Sequence, residues 1–296
     1  MRLDFRFVDF EVTRMCNQVC KDWCMRGKMQ NVKLSKEMVD KFFDDPIFDM
    51  PENKVRIGRV LFSGGEPTLN EDIIEYIIDK IIERGIDVGQ LNMVTNGLKY
   101  SERIMEAFRR FERHKDAAYA GGKMQHVEIG FSVDGFHKPM PGDVIESYEK
   151  HGYYPSRRSH NTSKRRLLTG LSTAGRAFNY VRKKAGFYDG VLKSGIDIHT
   201  PVYLSANGNL HIGGEGSYEE MDRAGNNWGN IMETTLEDVC VREFGMDLAG
   251  LRQKIMARIY RNRICLVDKR AVQFAPEAAM GSVRESGVGQ ELALAR

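Results

Sequence analysis

Apolar positions along the first 135 residues change period from segment to segment, and the changes predict alternating strands and helices. Leu3 to Val12 alternates at Val8, Phe10 and Val12, the period of a strand half turned toward a core. Ser35 predicts a helix start, with Met38, Val39, Phe42 and Phe43 forming its apolar stripe. Arg59 to Ser63 is a short apolar strand that runs into Gly64-Gly65-Glu66-Pro67. The next helix is the best defined. Asn70 is its expected N-cap, and Glu71 and Asp72 suit the positive end of the dipole. Ile73, Ile74, Ile77, Ile78, Ile81 and Ile82 make one broad stripe, and Gly85 stops it. A strand at Leu91–Thr95, a helix at Ser101–Phe111 and a strand at Val127–Val133 follow. Strands that alternate with helices pair in parallel through right-handed crossovers, with ligands beyond the strands' carboxyl ends.

Beyond residue 140 the pattern weakens. Val202 to Ile212 predicts a hairpin around Asn207-Gly208, and Thr235 with Asp238 predicts a capped helix. The stretch 157–166 is basic, with Arg157, Arg158, His160, Lys164, Arg165 and Arg166, and reads as a solvated loop. The stretch 113–125 is longer and more polar than a tight connection needs. The segment from Pro276 to Arg296 has little apolar content until its last few residues and is expected to be mobile.

Composition adds a few exclusions. The 296 residues are 42% hydrophobic and 29% charged, with a net charge of +3, ordinary for a globular chain and too weakly basic to argue for nucleic acid. No run is apolar enough to span a bilayer, and the charged start Met1-Arg-Leu-Asp-Phe-Arg lacks a signal core, so a cytoplasmic location is expected.

Candidate chemistry starts at the five cysteines, Cys16, Cys20, Cys24, Cys240 and Cys265, of which the first three share nine residues. That spacing suits a metal centre better than a disulfide framework. Three thiolates from one loop can hold three irons of a cubane and leave the fourth open to a small molecule. A zinc site would want a fourth ligand, and the nearest histidine downstream is His114. Cys240 and Cys265 read as incidental thiols. The four expected strands end in the cysteine loop, in Gly64-Gly65-Glu66-Pro67, in Thr95-Asn96-Gly97 and in Ser132-Val133-Asp134-Gly135. His137 follows the last of these and is a candidate catalytic residue.

The segment Glu11 to Gly27 with its three cysteines, followed by Gly64-Gly65-Glu66-Pro67, Thr95-Asn96-Gly97 and Ser132-Val133-Asp134, resembles the radical S-adenosylmethionine superfamily. The pieces Ala174-Gly175-Arg176-Ala177 and Ser217-Tyr218-Glu219-Glu220 are similar to a small bacterial and phage branch of it. The resemblance implies an α/β fold, a partial (β/α)6 TIM-like barrel over 1–212 with a C-terminal extension over 213–275. It implies a [4Fe–4S] cluster on Cys16, Cys20 and Cys24, with S-adenosylmethionine chelating the fourth iron. Gly64, Gly65, Glu66 and Pro67 would hold the cosubstrate's amine side, and Trp23 would pack near the adenine. Ser132 and Asp134 would lie near the ribose, and Thr95 and Asn96 would line the same mouth; Arg176 is a candidate contact for the carboxylate, with a surface ion pair as the equal alternative. Partners implied are an unknown substrate and an electron donor such as flavodoxin or ferredoxin. Two features depart from the family pattern. Three residues lie between Cys20 and Cys24 where two are usual, and Gly213-Gly214-Glu215-Gly216 stands where relatives of this branch carry a cysteine. A non-catalytic iron–sulfur or zinc protein is the competing expectation.

Overall fold

The computed structural model describes residues 3–20, 26, 29–49, 55–118, 126–132, 137–153, 197–198, 202–212, 217–222 and 227–244. The chain divides into two units, Met1–Ile255 and Met256–Arg296, and every described residue lies in the first.

The strands are β1 (Leu3–Phe5), β2 (Val8–Thr13), β3 (Val55–Gly64), β4 (Asp87–Thr95), β5 (Val127–Phe131), β6 (Asp197–Ile198), β7 (Val202–Leu204), β8 (Asn209–Ile212) and β9 (Asn227–Asn230). The helices among the described residues are α1 (Lys36–Phe43), α2 (Glu71–Glu83), α3 (Glu102–Ala118), α4 (Gly142–Lys150), α5 (Tyr218–Met221) and α6 (Leu236–Phe244). One sheet runs β5-β4-β3-β2-β7-β8-β9, with β1 paired to β3 and β6. From β5 to β7 every pairing is parallel, and β7-β8 and β8-β9 are antiparallel. This is the α/β class with the consecutive parallel strands expected from the sequence; the sheet is not closed among the described residues.

The expected first strand is split in two. β1 pairs with the start of β3 and β2 with its end. Opposite the break stands Gly58, where a Cβ would come within 2.8 Å of the Arg6 carbonyl oxygen. The missing side chain lets the two backbones approach at the kink.

All six residues of β2 are buried, yet only every second one is apolar. Val8, Phe10 and Val12 share one face, and Phe10 packs its ring 5.0 Å from Phe42 and 5.8 Å from Phe43 of α1. On β3, Phe62 lies 6.1 Å from Phe108 of α3. The opposite face is polar. It carries Asp9, whose carboxylate accepts from Ser63 at 2.6 Å, and Asn92, which donates to Glu128 at 3.1 Å. A parallel sheet buried on both faces usually reads as a continuous apolar run. Here the alternation within β2 marks a polar interior instead.

The caps follow local sequence, with one exception. Ser35 accepts from the Met38 N–H at 3.2 Å. Thr235 and Asp238 cap each other, at 2.9 and 3.3 Å. Gly85, at φ 61°, closes α2. Asn70 makes no side-chain cap bond; its amide donates to the Val12 carbonyl at 2.7 Å instead, tying α2 to the end of β2. The Asn207-Gly208 hairpin is present, and its turn spans Ser205–Gly208, closed by the Gly208 N–H on the Ser205 carbonyl at 2.8 Å. No helix of the described residues is long and apolar enough to cross a membrane.

Candidate functional site

The cysteine loop is an excursion whose two ends meet. The Arg14 N–H donates to the Val32 carbonyl at 2.8 Å, and the Leu34 N–H to the Val12 carbonyl at 3.1 Å. Thr13 and Lys33 form an antiparallel bridge. The Thr13 hydroxyl donates to the Val32 carbonyl at 3.0 Å. Cys16 is half-buried and Cys20 is 7% exposed. Cys24 and Trp23 lie outside the described residues, as do Asp134, Arg176 and Cys265. Among the described residues no three His, Cys, Asp or Glu side chains converge as a metal site.

The glycines that end β3 serve backbone contact. A Cβ on Gly64 would stand 2.2 Å from the Thr13 carbonyl oxygen, and one on Gly65 would stand 2.2 Å from that of Met15. Gly64 also has φ 144°, a conformation side chains rarely adopt. Through this approach the N–H groups of Gly65 and Glu66 donate to Thr13 and Met15, each at 2.8 Å. The turn thus clamps the base of the cysteine loop immediately before Cys16.

Glu66 is 0% exposed. Its Oε1 accepts from the Thr68 N–H at 3.2 Å, the Thr68 hydroxyl at 2.8 Å and the Thr95 hydroxyl at 2.7 Å. Its Oε2 accepts from the Asn96 N–H at 2.8 Å. Burial pushes its pKa up, against the pull of these donors. The carboxylate expected to grip the cosubstrate amine is therefore turned inward in this structure, where it joins the ends of β3 and β4. Pro67 opens the 3-10 turn Pro67–Asn70 that follows, with Glu66 as its N-cap.

Asn96 is buried, and its amide reaches Asn17 at 2.8 Å and the Cys16 sulfur at 3.7 Å. Ser132 follows β5, where its N–H donates to the Thr95 carbonyl at 2.9 Å. The ends of β2, β3, β4 and β5 therefore lie side by side, and Cys16, Gly65, Glu66, Thr95 and Asn96 are brought together there. His137 is partly exposed.

A second polar group lies beneath and beside the loop, and local sequence does not announce it. Arg14 is 1% exposed and bonds Glu11 at 3.1 Å, Gln30 at 2.9 Å and Asp222 at 2.8 and 2.9 Å. Its guanidinium also lies 4.5 Å from the Tyr218 ring. Arg26 sits 5.3 Å from the Tyr203 ring and donates to the Met221 sulfur at 3.0 Å. The segment 217–222 therefore buttresses the cysteine loop. Its Tyr218 belongs to the Ser-Tyr-Glu-Glu piece noted in the sequence; Arg14 and Asp222 carried no signal because 208 residues separate them.

Asp9 belongs to the same interior. Burial pushes its pKa up to about 7, and the Ser63 hydrogen bond and the Arg26 charge offset this only in part. The folded pKa lies above the ordinary 3.8, so stability is fully present below about pH 4 and is lost as pH rises through 7. Asp9→Asn cannot ionise and is expected to escape that loss. It should gain on the order of 4 kcal/mol over the wild type at pH 8 and almost nothing at pH 4. Thermal melts of both proteins at the two pH values check this, and an equal difference at both would contradict it.

Comparison with known proteins follows the same lines. Residues 6–124 match the model of a family described as a 4Fe-4S single cluster domain. No curated protein matches the chain. Among solved structures, native anSMEcpe with bound AdoMet is similar at 12% identity and a TM-score of 0.47, covering 80% of each chain. Streptococcus suis SuiB bound to S-adenosylmethionine is similar at 13% identity and a TM-score of 0.41, covering 81% of this chain and 63% of that one. The family match spans the cysteine loop and the ends of β2, β3 and β4.

Proposed function

We propose that the protein is a radical S-adenosylmethionine enzyme whose Cys16, Cys20 and Cys24 hold a [4Fe–4S] cluster. The observation that carries this reading is the clamped loop. The backbone before Cys16 is fixed by the Gly65 and Glu66 N–H groups, and Cys16 itself meets Asn96 from the end of β4. Thiolates held at the carboxyl ends of parallel strands suit a cluster that must face a small cosubstrate. When bound, the cluster would supply one electron to the sulfonium of S-adenosylmethionine, giving methionine and a 5′-deoxyadenosyl radical able to abstract hydrogen.

The chain's own residues orient and enclose. Gly64 and Gly65 keep the β3 turn low enough to brace the loop. Glu66 acts through Thr95 and Asn96 as a positioning residue, while the Gly64–Gly65 backbone and Ser132 line the mouth where the cosubstrate would bind. Trp23 and Asp134 are assigned to the adenine and ribose by the family resemblance, and Arg176 is a candidate contact for the carboxylate. A one-electron donor of the flavodoxin or ferredoxin type would reach the loop, near which Val19 and Met29 are exposed.

Anaerobic reconstitution is expected to load about four irons per chain, with a thiolate-to-iron absorbance shoulder. With S-adenosylmethionine and reductant, the wild type should release 5′-deoxyadenosine, and Cys16→Ala should abolish both the shoulder and the release. Release no greater than that of Cys16→Ala would refute the enzymatic reading, and zinc in place of iron would refute the cluster.

A further inference from the structure

We propose that Asn96 is a positioning residue for the cluster, fixing Cys16 and raising the centre's reduction potential through an amide N–H···S bond. The inference rests on the reading of Cys16 as a cluster ligand. Three observations carry it. First, Asn96 is held independently of the cysteine loop. Its backbone N–H is fixed by buried Glu66 at 2.8 Å, and its Oδ1 accepts the Leu98 N–H at 3.0 Å. Second, those bonds determine which way the amide faces. Turned over, its NH2 would oppose the Leu98 N–H, so Nδ2 must point at the loop. Third, what it meets there is Asn17 Oδ1 at 2.8 Å and Cys16 Sγ at 3.7 Å, in a side chain only 7% exposed.

A thiolate sulfur accepts such a bond more strongly than a thiol, because the acceptor carries charge. Sulfur ligands gain electron density when the cluster is reduced, so a donor aimed at one favours the reduced form. Gln18 offers a comparison within the loop, since its amide donates to Cys20 Sγ at 3.3 Å. Gln18 belongs to the same loop as the cysteine it serves. Asn96 comes from β4 and ties the sulfur to the Glu66 junction, so it sets both the position of Cys16 and its electrostatics.

The test uses the full chain, reconstituted anaerobically as wild type, Asn96→Ala and Asn96→Asp, with iron analysis and a redox titration followed by absorbance and EPR. Asn96→Ala should retain iron and show about a tenfold lower ratio of reduced to oxidised cluster at a fixed applied potential, about 59 mV for a one-electron couple. Asn96→Asp keeps an acceptor for the Leu98 N–H, loses the donor and adds negative charge, so it should shift further in the same direction. Should Asn96→Ala lose its iron, Asn96→Asp decides, because its turn is preserved. A wild-type potential in Asn96→Asp, or in an Asn96→Ala that holds iron, would overturn the proposal. A wild type that binds no iron would instead refute the function itself, and this inference with it.

Discussion

Glu66→Ala is expected to destabilise the protein by about 3–5 kcal/mol, because it strips the acceptor from several buried donors at once. The Thr68 N–H, the Thr68 and Thr95 hydroxyls and the Asn96 N–H all converge on this one carboxylate. The hydroxyls can turn toward other acceptors, but the two backbone N–H groups cannot. Glu66→Gln keeps the volume and one accepting oxygen, so it should cost less, about 1–2 kcal/mol. Urea unfolding of the three proteins gives the order. A glutamine variant as unstable as the alanine one would point to charge, and an alanine variant as stable as wild type would refute the junction altogether. Because Asn96 hangs from Glu66, the alanine variant should also load less iron than the glutamine variant under identical reconstitution.

Arg14→Met should cost a similar amount, about 3–5 kcal/mol, for a different reason. Methionine fills much of the same volume, so little packing is lost. What is lost is one charged hydrogen-bond partner of Glu11, which is 0% exposed and cannot reach water, and whose other nearby cation is Arg26. The Glu11 Oε2 would keep only the Ala206 N–H, at 3.0 Å. Adding Glu11→Gln to Arg14→Met should restore part of the stability, since the buried charge that has lost its hydrogen-bonded cation disappears. If the double variant is no more stable than the single one, the cost lies in packing and the charge argument fails. The Arg14 bonds also hold the Asp222 carboxyl below its ordinary pKa. That contribution is present above the unfolded value of 3.8 and is lost as pH falls through the folded one. An acid melt of Arg14→Met should therefore lack the wild type's corresponding decline.

These two residues show where sequence reading succeeded and where it stopped. Helix α2 was legible because its isoleucines repeat at helical spacing, and its stop at Gly85 needs only a positive φ. The hairpin and the Thr235–Asp238 cap were legible for the same reason, since each depends on residues a few positions apart. Asn70 holds the N-cap position of α2 as expected, but its side chain does not make the cap bond. Its amide serves the carbonyl of Val12, 58 residues away, and nothing in the helix reveals that demand. Helix α4 went unnoticed because only Val144 and Tyr148 of its nine residues are buried, too few for a stripe.

The same division runs through the candidate site. Spacing alone grouped Cys16, Cys20 and Cys24, and the strand-end motifs were visible because turns use distinctive residues. The sequence by itself thus determined the alternating fold, the thiol loop and the set of strand ends that could surround it. Only the tertiary structure decided what those groups face. The two glycines are small because the carbonyls of Thr13 and Met15 lie against them. Glu66 turns inward because four donors from three residues meet where strands β3 and β4 end. Arg14 is buried because Asp222 returns to it from the far side of the chain. Each is a demand for a hydrogen-bond partner or for space, and neither exists until distant segments have packed together.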